Sequence, residues 1–241
     1  MSAALLRLEA LDIVAGGAWL LEGISLEVVE GSTVALVGGP GAGKSLIVDL
    51  VLGLASPRAG TVRLDGRNIT ALPPLARQRS GIRAAFAEPP VFPGLTIREH
   101  LALAVAGGRL RPRALTRLAQ YLPELEGRLD QPVGSQGAAV LRLVDLARAM
   151  LGMPRILLID DLFPALGAER AGELVRSLAR DGYTLLLADR YGEAVLDHAD
   201  HGYVLAQGTI VAEGAPATLR ADPRLLATCA GDSSAWAEIP A

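Results

Sequence analysis

One run of eight residues, Gly38-Gly39-Pro40-Gly41-Ala42-Gly43-Lys44-Ser45, constrains the fold of this chain more than any other feature. It follows an apolar, β-branched segment (33–37) that predicts a buried strand, and it precedes an apolar segment (46–52) that predicts a helix. Glycines here let successive backbone N–H groups converge where the helix dipole is positive. The loop from Gly38 through Leu46 is therefore expected to bind phosphate.

Lys44 is the single lysine among 23 basic side chains, and the other 22 are arginine. A compact ammonium suits the outer phosphates of a nucleotide in a place where a planar guanidinium would not fit, and the Ser45 hydroxyl would complete a Mg²⁺ shell. A chance glycine-rich turn is the alternative, and the full match between a strand and a helix weighs against it. A GTPase is disfavoured because that class reads guanine with a second lysine.

A second motif, of two acidic residues, follows the apolar segment 156–159 and consists of Asp160 and Asp161. In a phosphate-loop protein, Asp160 would hold Mg²⁺ through water, and Asp161 could orient an attacking water. The alternative interpretation is an ordinary strand followed by a helix-capping aspartate.

Composition excludes several classes of protein. With 241 residues, 51% of them hydrophobic, the chain can bury a large core and is not disordered. The net charge of −3 gives no basic field for nucleic acid, so no nucleic-acid partner is expected. Cys229 alone excludes an internal disulfide framework. The histidines have no metal-ligand spacing, so no metal beyond Mg²⁺ is expected; they are His100, His198 and His201.

Strands that alternate with helices after the loop predict a mostly parallel sheet covered on both faces. Segments 6–13, 23–29 and 61–64 predict a small antiparallel sheet before it, and much of 97–128 predicts helix. A basic stretch within that helical region predicts a solvated helical face rather than a lipid or nucleic-acid site. Its members are Arg109, Arg111, Arg113 and Arg117.

The order of these pieces resembles the ATP-binding subunit of ABC transporters. The matching segments are Leu8–Leu11, Leu21–Leu26, Val91–Glu99, Leu146–Met150, Pro154–Asp160, Ala199–Leu205 and Gly208–Gly214. The resemblance implies an α/β P-loop NTPase with a RecA-like, mostly parallel sheet, an N-terminal antiparallel β subdomain and an inserted helical subdomain at about 88–145. It implies one domain over residues 1–231, a tail at 232–241, and the cofactors ATP and Mg²⁺.

Several positions depart from the pattern of that family. The Leu-Ser-Gly-Gly-Gln signature is absent, since residues 133–144 carry only Gly134-Ser135-Gln136-Gly137-Ala138 and the segment is about four residues short. By the same alignment the adenine-stacking aromatic of the family falls at Ala15, with Trp19 nearby, and the glutamine that senses the γ-phosphate falls at Ala87, with Glu88 as the nearest polar group. The catalytic glutamate falls at Asp161, the switch histidine at Arg190 and the D-loop aspartate at Gly167.

These departures predict weak or absent hydrolysis. Shortening glutamate to Asp161 withdraws the carboxylate by roughly one C–C bond, and a misplacement near 1 Å costs about 100-fold in rate. Arg190 either meets the γ-phosphate as a fixed positive charge or forms a surface ion pair with Asp189 or Glu193.

The resemblance also implies partners. The family works as a dimer, so a second ATP-binding subunit, identical or different, is expected. Transmembrane permease subunits would dock on Leu72–Phe92, where Phe86, Val91 and Phe92 could equally be core. The implied location is cytoplasmic, peripheral on the cytosolic face of the inner or plasma membrane. The alternative is a soluble ABC-like nucleotide-binding scaffold or regulator outside transport.

Overall fold

The computed structural model describes residues 4–230, and within that range all side chains except those of Ala106, Leu226, Cys229 and Ala230. The strands are β1 (Ala4–Ala15), β2 (Ala18–Val29), β3 (Thr33–Val37), β4 (Ala59–Leu64), β5 (Arg67–Asn68), β6 (Ile82–Ala85), β7 (Ile156–Asp160), β8 (Leu185–Asp189), β9 (His201–Ala206) and β10 (Thr209–Gly214). The helices are α1 (Lys44–Leu52), α2 (Pro74–Arg79), α3 (Ile97–Ala102), α4 (Pro112–Tyr121), α5 (Ala138–Leu151), α6 (Leu162–Leu166), α7 (Ala168–Arg180), α8 (Gly192–Leu196), α9 (Pro216–Arg220) and α10 (Pro223–Ala230). The tail expected at 232–241 lies outside the described residues.

The strands form two sheets. The larger has the order β10-β9-β3-β8-β7-β6, parallel throughout except for β10, which pairs antiparallel with β9 at one edge. The smaller is an antiparallel sheet with the order β2-β1-β4-β5. The prediction of a mostly parallel sheet preceded by antiparallel strands is confirmed.

Helix α1 lies between the two sheets. Alternate residues of β3 explain this arrangement, because Val34 and Leu36 pack with α1 and the antiparallel sheet while Ala35 and Val37 pack with helices on the opposite face. Every residue of β3, β7 and β8 is buried. The carboxyl ends of these three strands therefore meet at one buried edge, where the phosphate loop follows β3.

The region between β6 and β7 is helical but broken. Gly107 and Gly108 have positive φ, and Pro112 begins α4, so the predicted helix over 97–128 is divided into α3 and α4. The predicted basic helical face is wrong for Arg109 and Arg111, because both precede Pro112. Helix α5, which leads into β7, begins at Ala138 and ends at Leu151.

Within residues 4–230, none of the helices combines the length and the apolar character needed to cross a bilayer.

Candidate functional site

The loop after β3 is shaped by close backbone packing. A Cβ on Gly38 would lie 2.4 Å from the carbonyl oxygen of Leu205, and one on Gly39 would lie 2.6 Å from that of Thr228. Gly43 has a φ of +109°, which L side chains rarely adopt. Strand β9 and helix α10 therefore press on the loop, and its glycines are required by contacts that lie far apart in the sequence.

Lys44 is 8% exposed and points back into this loop. Its Nζ donates hydrogen bonds to the carbonyl oxygens of Gly38 at 2.7 Å and Gly39 at 3.0 Å. Helix α1 begins at Lys44 itself, so the ammonium and the N-terminus of the helix lie together. The loop thus presents positive charge and backbone N–H groups on a glycine scaffold, the arrangement that binds phosphate.

Asp160 ends β7 and is buried beside the loop. Burial raises the pKa of its carboxyl group, although a hydrogen bond with Ser45 and the nearby charges of Arg142 and Lys44 act in the opposite direction. A hydroxyl and a carboxylate oxygen held together in this way are hard ligands of the kind that Mg²⁺ prefers. The residues present therefore fit the cation expected from the sequence.

The raised pKa of Asp160 predicts a trade-off between stability and metal binding. A carboxyl whose pKa is raised on folding stabilises the fold only at low pH, and that contribution is lost as pH rises through the folded pKa. We therefore expect Asp160→Asn to raise the Tm of the nucleotide-free chain at pH 7, with a gain that shrinks toward pH 4, and to remove the Mg²⁺ dependence of ATP affinity. Thermal unfolding over that pH range, with Glu30→Gln as a surface control, tests this; a lower Tm at pH 7 contradicts it.

Asp161 follows in a left-handed conformation (φ 57°, ψ 48°), which is uncommon outside glycine. Its Oδ2 lies 3.6 Å from Nη2 of Arg190, so the two form an ion pair. The expected pairing of Arg190 with Asp189 or Glu193 is wrong. The carboxylate of Asp189 accepts backbone N–H groups of Phe163, Arg190 and Tyr191 instead.

A cavity of about 430 Å³, which we term the arginine cavity, lies where these segments converge. Its wall includes Ala87, Asp161 and Arg190, three of the positions at which the sequence departs from the family pattern. Glu88 also lines the cavity and is exposed. The structure therefore brings together residues separated by about a hundred positions in the sequence.

Trp19 lies on β2, the strand that borders the phosphate loop. It is 52% exposed on β2, and the guanidinium of Arg58 lies over its ring at 5.4 Å from the centroid. Two residues further along β2, Leu21 lies so close to the loop that a Cβ on Gly43 would be 2.7 Å from its Cδ2. Trp19 thus provides an aromatic face on the strand that borders the loop, whereas Ala15, where the family alignment places the aromatic residue, has no ring.

The sequence reasoning missed Arg142, which lines the arginine cavity from α5. It is 4% exposed, and its Nη2 donates a hydrogen bond to the main-chain oxygen of Asp160. Its Nε and Nη1 have no hydrogen-bond partner. The signal in the sequence is an arginine set between Leu141 and Leu143, on the apolar side of a helix where solvated arginines are rare.

Asp145, one turn further along α5, connects the same helix to the segment that follows β6. It accepts the backbone N–H of Phe86 at 2.8 Å and a hydrogen bond from Arg148 at 2.5 Å. Burial raises the pKa of this carboxyl group. The contact ties α5 to the residue just before Ala87.

The segment Leu72–Phe92 borders an apolar groove of about 460 Å³. Four large apolar side chains along it are each more than half exposed: Leu54, Leu75, Phe92 and Leu103. Phe86 is half-buried in the groove wall, whereas Val91 packs against the core. Of the two interpretations of this segment, exposed Phe92 fits a docking surface, whereas Val91 belongs with the core.

Comparison with known proteins gives consistent matches. A family model described as ABC transporter matches residues 21–163. The ATP-binding protein BraG of high-affinity branched-chain amino acid transport from Pseudomonas aeruginosa is 29% identical over 215 residues, covering 85% of this chain and 90% of that protein. BraF from the same organism is 28% identical and covers 97% of this chain and 100% of its own length. The Nod factor export ATP-binding protein I of Burkholderia orbicola is 32% identical, covering 85% of this chain and 68% of that protein.

Solved structures agree on the fold. A nucleotide-free ATP-binding cassette from an ABC transporter superposes with a TM-score of 0.80 at 23% identity, covering 93% of this chain and 98% of its own. A bacterial Atm1-family ABC exporter with ATP bound gives a TM-score of 0.80 at 24% identity, covering 95% of this chain and 42% of its own. At these identities the likeness concerns the fold.

Proposed function

Because the chain belongs to the ABC transporter family, in which it is an ATP-binding subunit, we propose that it binds Mg·ATP at the loop of Lys44 and hydrolyses it weakly or not at all. In this proposal it acts on the cytosolic face of a membrane with a partner ATPase subunit and a permease. The observation that carries the binding proposal is the buried Lys44 ammonium held inside a glycine loop at the start of α1.

Nucleotide binding would use the residues of the loop in distinct ways. Backbone N–H groups from Gly38 through Leu46, except at Pro40, which has none, would surround the phosphates. Lys44 would turn from the carbonyl oxygens of Gly38 and Gly39 to meet the outer phosphates. Ser45 and Asp160 would hold the Mg²⁺ ion, which when bound neutralises charge on those phosphates. The nucleotide-binding loop of this proposal consists of Gly38, Gly39, Pro40, Gly41, Ala42, Gly43, Lys44, Ser45 and Leu46.

Weak hydrolysis is supported by the ion pair between Asp161 and Arg190. A carboxylate that is short and engaged by a guanidinium is a poor acceptor for the proton of an attacking water. Ala87, in the same cavity wall, carries no group that can orient that water. In this arrangement nucleotide binding would organise the complex more than its cleavage would drive it.

A permease partner is supported by the apolar groove. Exposed large apolar side chains that cluster along one groove are typical of protein contact sites. Leu75 and Phe92 lie on opposite sides of Phe86 in the sequence and line the same groove. Two relatives that cover most of the chain are named for branched-chain amino acid transport, so a small-molecule transport complex is the first assembly to test.

The purified full chain tests the proposal. We expect it to bind ATP in the micromolar range or tighter with Mg²⁺ and to turn over far more slowly than the roughly 10 s⁻¹ typical of enzymes. Isothermal titration and a phosphate-release assay measure the two quantities, and Asp161→Glu combined with Arg190→His and Ala87→Gln is expected to raise turnover.

Co-purification from membranes tests the permease partner. The tagged chain is expected to co-purify with an integral membrane protein, and Phe92→Asp is expected to abolish this co-purification while ATP affinity is unchanged.

Each part of the proposal can fail separately. Turnover near 10 s⁻¹ that is lost in Lys44→Met would contradict weak hydrolysis. Undetectable ATP binding would leave a scaffold without nucleotide function. Recovery of the chain without any integral protein would favour the soluble regulator over the transport subunit.

A further inference from the structure

Helix α10 packs its backbone directly on the phosphate loop. A Cβ on Gly39 would lie 2.6 Å from the carbonyl oxygen of Thr228 and 3.7 Å from its carbonyl carbon. Thr228 is buried, and its hydroxyl donates to the main-chain oxygen of Arg224 at 2.7 Å. Because the contact with Gly39 is made by backbone on both sides, no rotation of a side chain can relieve it. The position of α10 therefore limits the conformations that Gly39 can adopt.

Gly39 is also one of the residues that hold Lys44. Nζ of Lys44 donates to the carbonyl oxygen of Gly39 at 3.0 Å and to that of Gly38 at 2.7 Å. On the side of Gly38 the loop meets the main-chain oxygen of Leu205 in β9. The loop thus lies between β9 and α10. Since β9 is hydrogen-bonded to strands on both of its sides, α10 is the wall that can move.

Arg224 fixes the first turn of α10 to the edge of the larger sheet. Its Nη1 donates to the main-chain oxygen of Val211 in β10 at 2.6 Å. Its Nε and Nη2 donate to the carboxylate of Asp222 at 2.9 Å and 2.6 Å, and these hydrogen bonds lower the pKa of that carboxyl group. Leu225 adds a side chain buried in the core. The helix that presses on Gly39 is therefore held in place by one half-buried guanidinium.

We propose that Arg224 is a positioning residue of the nucleotide site. It acts through α10 and the carbonyl group of Thr228 to keep Gly39 in the loop shape that brings Lys44 and the backbone N–H groups together. Any displacement of α10 then lowers nucleotide affinity without contact with the loop motif itself. Because coupling between two sites is reciprocal, a nucleotide in the loop in turn stabilises α10. The nucleotide part of this inference rests on the proposed function, whereas the effect of α10 on the empty loop does not.

A double-mutant cycle on ATP affinity tests the pathway. Gly39→Ala places a methyl group against Thr228 and is expected to lower the affinity about tenfold or more, and Arg224→Gln, which releases α10, about three- to tenfold. In the double variant the released helix leaves room for the methyl group, so the combined loss is expected to be at least threefold smaller than the product of the single losses. The matched control is Arg220→Gln on α9, whose ion pair with Asp197 leads away from the loop. It is expected to leave ATP affinity unchanged and to combine with Gly39→Ala without any such saving.

Amide hydrogen exchange of the nucleotide-free full chain separates this inference from the proposed function. Arg224→Gln is expected to speed exchange about fivefold or more in α10 and in loop residues 38–46, while the buried strand β7 keeps its wild-type rate. A merely structural loss would speed exchange in β7 as well. Mg·ATP is expected to slow exchange in α10 of the wild type.

Two results overturn the proposal: a loop whose exchange does not respond to Arg224→Gln, or losses of ATP affinity that simply multiply in the cycle. Should Arg224→Gln fail to fold, Asp222→Asn, which weakens the same anchor and keeps a side-chain acceptor, replaces it in both experiments. A chain that binds no ATP would defeat the proposed function, and exchange in the empty loop would still decide whether α10 positions it.

Discussion

Replacing Lys44 with arginine is expected to weaken Mg·ATP binding by about as much as replacing it with methionine, although arginine supplies 22 of the 23 basic residues of this chain. A charge-assisted contact to phosphate is worth about 1.5–3 kcal/mol, which corresponds at its upper end to about 100-fold in affinity. Lys44→Met loses that contact. Lys44→Arg keeps the charge, but its wide planar group cannot occupy a place that is 8% exposed.

The geometry of the loop is the reason for this expectation. Nζ lies 2.7 Å and 3.0 Å from the carbonyl oxygens of Gly38 and Gly39, inside a turn whose glycines already touch Leu205 and Thr228. A guanidinium there would have to push the loop toward backbone that cannot move without disturbing β9 or α10. Isothermal titration of ATP with both variants, and with Arg67→Lys as an exposed control, measures the effect. Lys44→Arg binding within threefold of the wild type would contradict it.

The parts of the molecule that the sequence predicted share one property: their signals are local. The eight residues of the loop, the apolar strand before them and the pair Asp160-Asp161 can each be recognised within a short window. The order of strands and helices also predicted the two sheets, since only a few topologies are possible for parallel strands joined by helices. The predicted fold, with its two sheets, is confirmed by the structure.

The parts that could not be predicted are contacts between distant segments. Of the two alternatives for Arg190, the ion pair placed its partner close in the sequence, at Asp189 or Glu193, whereas the partner is Asp161, which directly follows the neighbouring strand β7. That choice follows from the order β8-β7 and from backbone N–H groups that already occupy Asp189. Arg142 was missed for the same reason, because its contact with the oxygen of Asp160 exists only once α5 packs on β7.

Arg77→Met is expected to lower the free energy of unfolding by about 3 kcal/mol, because a buried cation that donates to several main-chain oxygens is lost. Arg77 is 1% exposed, and its guanidinium donates to four main-chain carbonyl oxygens. They are those of Leu50 at 2.5 Å, Val51 at 3.1 Å, Thr70 at 2.6 Å and Leu72 at 3.0 Å. Methionine fills much of the space but removes the guanidinium from all four oxygens, of which that of Leu50 keeps the backbone N–H of Gly53. A buried acceptor left without a donor costs about 1–3 kcal/mol, and water that enters the freed space offsets part of the total loss.

Two of the four oxygens, those of Leu50 and Val51, lie in the last turn of α1, where a cation also interacts favourably with the helix dipole. The opposite end of α1 begins at Lys44, so Arg77 anchors the helix that carries the phosphate loop. Arg77→Lys should recover less than half of the loss, because one ammonium cannot reach oxygens that a planar fork meets from several sides. We thus expect that arginine cannot replace Lys44 at the first turn of α1, and that lysine cannot fully replace Arg77 at its last turn.

Urea unfolding measures this expectation directly, and a Tm lower by about 6–12 °C should accompany a loss near 3 kcal/mol in a chain of this size. Arg79→Met, an exposed arginine on the same helix α2, is the matched control and is expected to stay within about 0.5 kcal/mol of the wild type. A loss below about 1 kcal/mol in Arg77→Met would mean that water replaces the guanidinium at the four oxygens. A full recovery in Arg77→Lys would show that charge at the end of α1, and not the forked geometry, stabilises the helix.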